Sequence, residues 1–336
     1  MVIPYSSFDT RILPPKVARE LWRDLIGVLF DAQPTGASNE DFFVGLDAWL
    51  VDGVGFAAMK ASPHRFNRSR NKIARDGMDG YLLQFYMDGE SQDWNGRYTA
   101  RKGDLYVLDM ARPMSTATNP HSHIDIVVPR RLLAPLLKQP DDSHELVLDA
   151  NLPLVSLLRS TASCYLQNLS RFSVGEAQAS LAPLLGLAAA AINGSIAEDN
   201  SSAVDTALLA RIRQYIDLRI FDPSLSLEGA LGAFGVSRRT LYRLFEPFGG
   251  FQSYVRKRRL DLARRALQTE PMQSLSISEI AQMHGFSSPE LFARSFRKQF
   301  GLTPREMRFH AGEGLPDLEN RGQHELWSRW VIDIGR

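Results

Sequence analysis

The chain has 336 residues, of which 44% are hydrophobic and 23% charged, with a formal net charge of +1. This length exceeds what one hydrophobic core usually serves, so at least two domains are expected. The single cysteine, Cys164, excludes an internal disulfide. We find no apolar run of 18 residues and no signal-peptide pattern, which predicts a cytoplasmic protein with no membrane contact.

The first half of the chain predicts one helix followed by many short strands. Residues 15–30, PKVARELWRDLIGVLF, have the pattern of an amphipathic helix. Residues from about 40 to 130 form short apolar runs with hairpin turns at Asp88-Gly89 and Asn95-Gly96. Short strands with frequent turns favour a small β-sandwich or barrel.

A histidine pair in this region raises the question of a metal enzyme. His121 and His123 form an HxH pair, and His64 and Asp125 are further candidate ligands. The carboxylate and glycine that follow such a pair in cupin metal sites are absent, so we predict no metal and polar strand-end histidines, one of them pairing with Asp125. The sequence also lacks a P-loop, GxSxG and CxxC. We therefore predict no enzyme and no cofactor, with a cupin-type metal enzyme fused to a second domain as the remote alternative.

Two helices are predicted next, at about 152–171 and 175–196. Their apolar residues recur at helical spacing: Leu154, Leu157, Leu158, Leu166 and Leu169, then Leu181, Leu184, Leu185, Leu187 and Ala188. The polar stretch AEDNSSAVD follows, and residues 198–205 are the predicted linker between a domain at 1–197 and a domain at 206–310.

Residues 225–246, LSLEGALGAFGVSRRTLYRLFE, predict a helix-turn-helix. A first helix spans about 227–234, Gly235 allows the turn, and Ser237 caps a helix that carries Arg238, Arg239, Tyr242 and Arg243. Gly229 and Gly232 weaken the first helix by roughly 0.5–1 kcal/mol each relative to alanine. This copy is therefore expected to be the softer of two.

The same arrangement recurs at 275–310 after a connecting amphipathic helix at 251–268. Ser276 or Ser278 caps a helix, Gly285 allows the turn, and Ser288 with Pro289 begins a second basic helix. The buried stripe of that helix is predicted to be Leu291, Phe292, Phe296 and Phe300, and Met283 is predicted to be an apolar position of the helix before it.

Charge is divided unevenly along the chain. Residues 206–310 contain 17 Lys and Arg against 9 Asp and Glu, a balance of +8 that leaves −7 for the remainder. Clustered cations release counterions from DNA phosphates, so double-stranded DNA is the predicted partner and its affinity should fall steeply with salt. In the run from Arg256 to Arg259, we expect one or two side chains to form internal ion pairs instead.

These motifs resemble the AraC/XylS family of bacterial transcription regulators. The resemblance rests on SRRTLYRLF at 237–245, RRL at 258–260 and ISEIAQMHGFSSPELFARSFRKQFGLTPREMR at 277–308. It implies an α+β protein: an N-terminal cupin-like β-barrel or sandwich with flanking helices, and an all-α C-terminal domain of two helix-turn-helix subdomains joined by a connector helix. It also implies a DNA-binding regulator, more often an activator, that works with RNA polymerase.

The family register, together with expected exposure, assigns the DNA contacts. The predicted base-contacting residues are Arg239, Tyr242, Arg243, Pro289, Glu290, Ala293 and Arg294. The predicted phosphate-contacting residues are Arg238, Arg297 and Lys298.

The N-terminal domain resembles the AraC-binding-like domain more loosely, which implies a small-molecule effector and a homodimer formed through the helices after the barrel. The candidate effector-binding residues are Trp49, Phe56, Arg65, Arg68, Phe85, Tyr86, Trp94 and Tyr98, with Arg65 or Arg68 to hold a carboxylate. The alternatives are an effector-independent regulator whose N-terminal domain serves dimerisation or partner binding, and helices that only cover the sheet. The tail at 311–336 has no family role, but Trp327, Trp330, Val331 and Ile332 predict docking onto a domain or a partner subunit.

Overall fold

The computed structural model describes residues 2–35, 42–195, 203–222, 224–269, 274–313 and Trp330. These residues fall into two compact units, one containing residues 2–195 with Trp330 and the other containing residues 203–313. The first is built on antiparallel sheets with helices, and the described residues of the second form helices and turns. The predicted α+β class is confirmed.

The described part of the first unit contains strands and helices in a mixed order. The strands are β1 (Tyr5–Asp9), β2 (Asp31–Pro34), β3 (Val44–Val51), β4 (Val54–Ala61), β5 (His64–Arg68), β6 (Gly80–Asp88), β7 (Ser91–Asp93), β8 (Thr99–Ala100), β9 (Leu105–Asp109), β10 (Met114–Thr118), β11 (His121–Pro129) and β12 (Leu146–Leu148). The helices are α1 (Pro15–Ile26), α2 (Arg70–Asp76), α3 (Arg130–Leu133), α4 (Pro153–Asn168) and α5 (Val174–Ser195).

The strands form two antiparallel sheets. The seven-stranded sheet has the order β1-β3-β4-β11-β6-β9-β12, and the five-stranded sheet has the order β2-β5-β10-β7-β8. A two-residue hairpin joins β3 to β4 through Asp52 and Gly53, whose positive φ angles of 48° and 77° give the twist that favours such turns.

The seven-stranded sheet is buried on both faces. In β6, Tyr81, Leu83 and Phe85 belong to the core that packs under α4 and α5. Leu82 and Tyr86, which alternate with them, belong to the core that includes residues of the five-stranded sheet and α1. Because side chains alternate across a strand, burial on both faces gives a nearly continuous apolar sequence instead of alternation.

Several boundaries differ from those predicted. β1, β2 and β12 lie outside the predicted strand range of about 40–130. These strands have only three to five residues, too few to show a period, and tertiary pairing defines them, as where β1 forms the edge of the sheet by pairing with β3. The helix predicted at 15–30 ends at Ile26, before Gly27.

Helix α5 corrects the expectation that no segment is apolar and long enough to span a membrane. Its Val174–Gly194 stretch passes on length and composition, with a mean hydropathy of 1.2. Leu184, Ala188 and Ile192 of this helix are buried in the core beneath the seven-stranded sheet. Packing against the sheet accounts for its apolar side.

The second unit contains seven described helices. They are α6 (Ala203–Leu218), α7 (Leu227–Phe234), α8 (Arg238–Phe245), α9 (Phe251–Gln268), α10 (Ile277–Met283), α11 (Pro289–Phe300) and α12 (Pro304–Gly312). We call α6–α8 the first subdomain and α10–α12 the second subdomain, with α9 as the connector. Helix α6 begins inside the predicted linker of 198–205, and residues 196–202 lie outside the described part of the chain.

Aromatic residues form the cores of both subdomains. Phe245 is fully buried against Phe251 and Tyr254 at ring distances of 5.4 and 5.3 Å. Phe292 and Phe296 are fully buried in the second subdomain. One residue of the predicted buried stripe differs from the prediction, because Leu291 is 41% exposed. The i, i+4 pair at 292 and 296 defines the buried stripe of α11, and a neighbour one residue away lies about 100° around the helix.

Candidate nucleic-acid interface

The second helix of each helix-turn-helix pair begins at a capping serine. The Ser237 Oγ accepts a hydrogen bond from the Thr240 amide at 3.1 Å, and the Ser288 Oγ accepts one from the Leu291 amide at 3.1 Å. The preceding turns place Gly235 and Gly285 at φ of 62° and 72°. A left-handed glycine followed by a capped helix start is the local reason that α8 and α11 begin where they do.

Helix α8 presents its basic residues to solvent. Leu241 and Phe245 are fully buried, so the opposite side of the helix faces solvent, and it carries mainly basic residues. The exposed residues are Arg238, Arg239, Tyr242 and Arg243. All four are predicted DNA contacts.

Helix α11 also has one buried and one exposed side, but its exposed side combines charged residues with two small apolar ones. Glu290, Arg294, Arg297 and Lys298 are exposed, whereas the predicted contacts Pro289 and Ala293 are half-buried. A proline and an alanine near the start of a helix offer small apolar surfaces, and the following cations offer hydrogen-bond donors. The structure thus leaves the predicted contact residues of both helices solvent-accessible.

Among the described residues, two arginines of α8 form ion pairs. Arg243 donates to both Asp205 carboxylate oxygens, at 2.6 and 2.9 Å, although 38 residues separate them. Those hydrogen bonds raise the pKa of Arg243 above its usual value. Arg238 pairs with Glu228 on α7 at 2.9 Å.

The second subdomain differs in this respect. Within the described residues, Arg294, Arg297 and Lys298 form no ion pair. These three side chains are therefore not held by carboxylates of the described residues at ion-pair distance, although Glu306 interacts electrostatically with Arg297.

Arg259 of the connector helix links loops of both subdomains. Its Nε and Nη2 atoms donate to the carbonyls of Ile220 and Asp222 at 2.9 and 3.1 Å, in the loop after α6. Its Nη1 atom donates to the carbonyl of Gly285 at 3.1 Å, in the turn of the second subdomain. The planar guanidinium reaches all three acceptors at once, and this fixes the spacing of the two helix-turn-helix pairs. The expected internal ion pair in the same run also exists, between Arg258 and Asp217 at 3.0 Å.

The first unit encloses a cavity of about 50 Å³, room for roughly four water molecules. Its lining is mainly apolar, with Gln84, Thr116, His123 and Asp125 as polar members in addition to Tyr86. Gln84 donates to Asp125 at 3.0 Å. Among the described lining residues there is no lysine or arginine.

The structure does not bring the eight candidate effector residues together. Trp49, Phe56 and Tyr86 line the cavity, and Tyr98 instead hydrogen-bonds Tyr106 at 2.6 Å near it. Phe85 does not line it and is buried in the core under α4 and α5, a core that also contains Phe56 and against which Trp49 packs.

The two candidate arginines also lie elsewhere. Arg68 is fully buried and bound to Asp76 at 2.5 and 2.9 Å, with further hydrogen bonds to the carbonyls of Leu29 and Met110. Arg65 stacks on Trp94 at 3.5 Å in a separate polar surface groove. The prediction that one of them holds a carboxylate in the cavity is wrong for Arg68, whose donors are engaged.

The histidines form no metal cluster with other ligands among the described residues. His64 is engaged, with Nε2 accepting from Trp22 at 3.1 Å and Nδ1 near the Ser62 carbonyl at 2.7 Å. Burial lowers the pKa of His121 to about 3. His123 lies 3.0 Å from Asp125, the pairing that the sequence predicted for one of the histidines.

The sequence did not reveal the roles of three residues: Asp205 in the ion pair with Arg243, Arg259 in joining the two subdomains, and Trp330 in lining the cavity. Asp205 was placed in a linker, and its partner Arg243 is too distant in the chain for helical spacing to reveal it. The charge run flagged Arg259, but nothing local indicated carbonyl acceptors in two loops. Trp330 was expected to dock somewhere, and it lies in the core and cavity of the first unit.

A basic helical unit with paired, solvent-exposed helix-turn-helix surfaces, attached to a β-sandwich with an internal cavity, defines a DNA-binding regulator with a separate N-terminal domain. The family profile described as an AraC-binding-like domain matches residues 19–193, and that of a helix-turn-helix domain matches residues 231–309. The chain belongs to the AraC/XylS family of transcription regulators.

Individual relatives agree with this membership. The chain is 26% identical to the transcriptional activator NphR of Rhodococcus sp over 255 residues, which cover 74% of this chain and 75% of NphR. It is 46% identical over 76 residues to the probable transcription factor PqrA of Proteus vulgaris, covering 22% of this chain and 60% of PqrA. The crystal structure of the AraC-like transcriptional activator CuxR has a TM-score of 0.54 at 25% identity, covering 77% of this chain and 95% of CuxR.

Proposed function

We propose that this protein is a sequence-specific transcription activator that binds double-stranded DNA through α8 and α11 in the bacterial cytoplasm and engages RNA polymerase. The observation that carries the proposal is the exposure of basic residues on the second helix of both helix-turn-helix pairs, held in fixed spacing by Arg259. The name of NphR, a transcriptional activator similar over 74% of the chain, supports activation.

We assign base contacts and phosphate contacts by helix position. Base contacts come from Arg239, Tyr242, Arg243, Pro289, Glu290, Ala293 and Arg294. Phosphate contacts come from Arg238, Arg297 and Lys298. Arginine donates two hydrogen bonds to guanine, glutamate accepts from the cytosine amino group, and small apolar side chains touch a thymine methyl.

Selection of DNA from a random library tests this function. The full chain should enrich one motif with two half-sites, and binding to it should weaken steeply as salt rises. Genome-wide footprinting should place these sites beside promoters. Enrichment of no motif, or equal affinity for selected and random DNA, would reject sequence-specific regulation.

The cavity in the first unit supports a small-molecule effector. Its described lining includes one carboxylate, Asp125, and one histidine, His123, but no lysine or arginine, so an uncharged ligand with a hydrogen-bond donor fits it better than a carboxylate. Such a ligand would alter DNA binding by a population shift. Thermal shift of the full chain against uncharged and anionic compounds, followed by DNA-binding assays, tests this.

The second candidate is regulation without an effector, in which the N-terminal unit serves as a dimer platform. It is favoured by exposed apolar residues on α4: Leu154 is 39% and Leu157 54% exposed, and Leu152 lies just before the helix at 40%. We propose that this surface forms a homodimer. Sedimentation of wild type and Leu157→Asp at micromolar concentration should show a dimer that the substitution dissociates, and a wild-type monomer would reject it.

A further inference from the structure

Trp330 is the one residue after Glu313 that the structure describes, and it does not belong to the DNA-binding unit. It is only 7% exposed and lies in the core of the first unit with Trp22, Phe30 and Met59. The chain therefore leaves the first unit, which we call the sensor unit, before α6. It forms the described helices of the second, DNA-binding unit and then places a tryptophan in the core of the sensor unit.

Trp330 also lines the cavity. It shares that lining with apolar residues of both sheets, including Leu46, Phe66 and Met114, and with Gln84 and Asp125. An indole ring is a large, flat, uncharged group with one N–H donor. Those properties match the chemistry of the cavity, which has acceptors among its polar groups and no lysine or arginine among its described lining residues.

We propose that Trp330 is a tethered aromatic ligand of the sensor cavity, and that the free compounds able to replace it are flat, uncharged aromatics of about indole size. The indole ring fills space that a soluble aromatic of the same size occupies once the ring is removed. The small remaining volume of about 50 Å³ is what is left beside the ring.

The position of Trp330 in the chain gives the cavity a route to the DNA-binding unit. Helix α12, which packs against the connector α9, ends at Gly312, and Trp330 is 18 positions further along the chain. A compound that displaces the ring leaves Trp330 without its buried site, whereas a compound that binds beside the ring keeps Trp330 in place, and we propose that DNA binding responds to this difference. This coupling rests on the proposed function. The occupation of the cavity by the Trp330 ring, which we call the plug, does not.

Removal of the ring tests the plug. In the full chain, Trp330→Ala should lower the thermal midpoint of the sensor unit by about 5 °C or more, because it empties a buried site. Millimolar indole should recover at least half of that shift, as apolar cavities bind matching aromatics. Trp94→Ala is the matched control, because Trp94 is 52% exposed on the surface, and indole should not rescue it. Rescue of neither variant, or of both equally, would overturn the plug.

If Trp330→Ala fails to fold, tryptophan fluorescence provides a second test of whether the Trp330 ring is buried. The emission difference between wild type and Trp330→Phe should be blue-shifted and shielded from acrylamide, as expected of a buried indole. Emission typical of a solvent-exposed tryptophan would overturn the plug.

DNA binding tests the coupling. On DNA selected with wild type, Trp330→Ala should change the Kd by about tenfold or more, and indole should return it toward the wild-type value. An unchanged Kd in a variant whose stability indole restores would overturn the coupling. Failure of wild type to select any DNA would reject the proposed function instead, and the thermal measurement would still decide the plug.

Discussion

The two helix-turn-helix subdomains have the same skeleton but present their cations differently. Both begin the second helix at a capping serine after a left-handed glycine, and both close around buried phenylalanines. In the first, carboxylates already engage Arg238 and Arg243; in the second, Arg294 forms no ion pair with a described residue. If these helices bind DNA as proposed, Arg294 is available without breaking an ion pair to a described residue, whereas Arg238 and Arg243 have to exchange their internal ion pairs.

The supporting helices differ as well. Helix α10 begins with a capping box in which Ser276 and Glu279 bond each other's backbone amides. Helix α7 has a serine cap at Ser226 but contains Gly229 and Gly232. Glycine inside a helix costs free energy because the unfolded chain has more freedom to lose. The first subdomain therefore combines a softer support with a pre-engaged surface.

The largest expected effect compares how much the aromatic core of each subdomain contributes to the free energy of unfolding. Phe245→Ala and Phe292→Ala should each lower the free energy of unfolding by about 3–5 kcal/mol, because both rings are fully buried. Urea unfolding, with hydrogen exchange to identify the affected helices, measures this. Phe309→Ala is the control, since Phe309 is 67% exposed. A loss several-fold smaller for Phe245 would show that the first core is loosely packed.

Arg259→Lys should weaken the link between the subdomains. A lysine cannot reach three carbonyls in two loops, so a loss of about 1.5–3 kcal/mol in stability is expected. Affinity for DNA with two half-sites should fall more than affinity for a single half-site. Arg256→Lys, at an exposed position of the same helix, is the control. Equal loss on one and two half-sites would contradict the spacing role.

Arg294→Ala should cost about 1–3 kcal/mol on selected DNA and much less on random DNA. Arg243→Ala should cost less than Arg294→Ala, since an exposed ion pair such as that with Asp205 competes by roughly 0.2–1 kcal/mol. Asp205→Asn should then strengthen binding, and Glu228→Gln provides the comparison at Arg238. Titration of each variant on both DNAs measures these differences, and weaker binding by Asp205→Asn would show that Asp205 positions Arg243 instead of competing for it.

The smallest expected effect addresses the soft helix. Gly232→Ala should raise stability by about 0.5–1 kcal/mol, because an added Cβ meets no atom within 4 Å. Gly229→Ala should gain less, since its Cβ would lie 3.3 Å from the Ser226 Oγ that caps the helix. Thermal unfolding compares the two. An equal gain at both positions would mean that the cap adjusts freely.

The helical half of the protein was largely predictable. Connector α9 and helix α7 have the predicted bounds, because capping serines, turn glycines and the 3.6-residue period are local signals. The error at Leu291 arose because an apolar residue at the edge of the buried stripe stays exposed. Periodicity gives a face only to within about one residue.

The candidate cavity was less predictable. Phe85 and Tyr86 are adjacent aromatic residues in one apolar strand, yet Tyr86 lines the cavity and Phe85 lies under α4 and α5. Their strand is buried on both faces, so alternation in the sequence is lost. Arg68 resembles a ligand-binding cation until its buried carboxylate and carbonyl partners are seen.

The sequence by itself determined two helix-turn-helix pairs, their connector, the segregated positive charge and the family, since each depends on residues close together in the chain. The tertiary structure alone decided which arginines form ion pairs, how Arg259 joins the two subdomains and which side of each strand faces the cavity. It also decided that Trp330 lies in the core of the first unit. These features join residues far apart in the chain, and no local pattern specifies which distant partner packing will select.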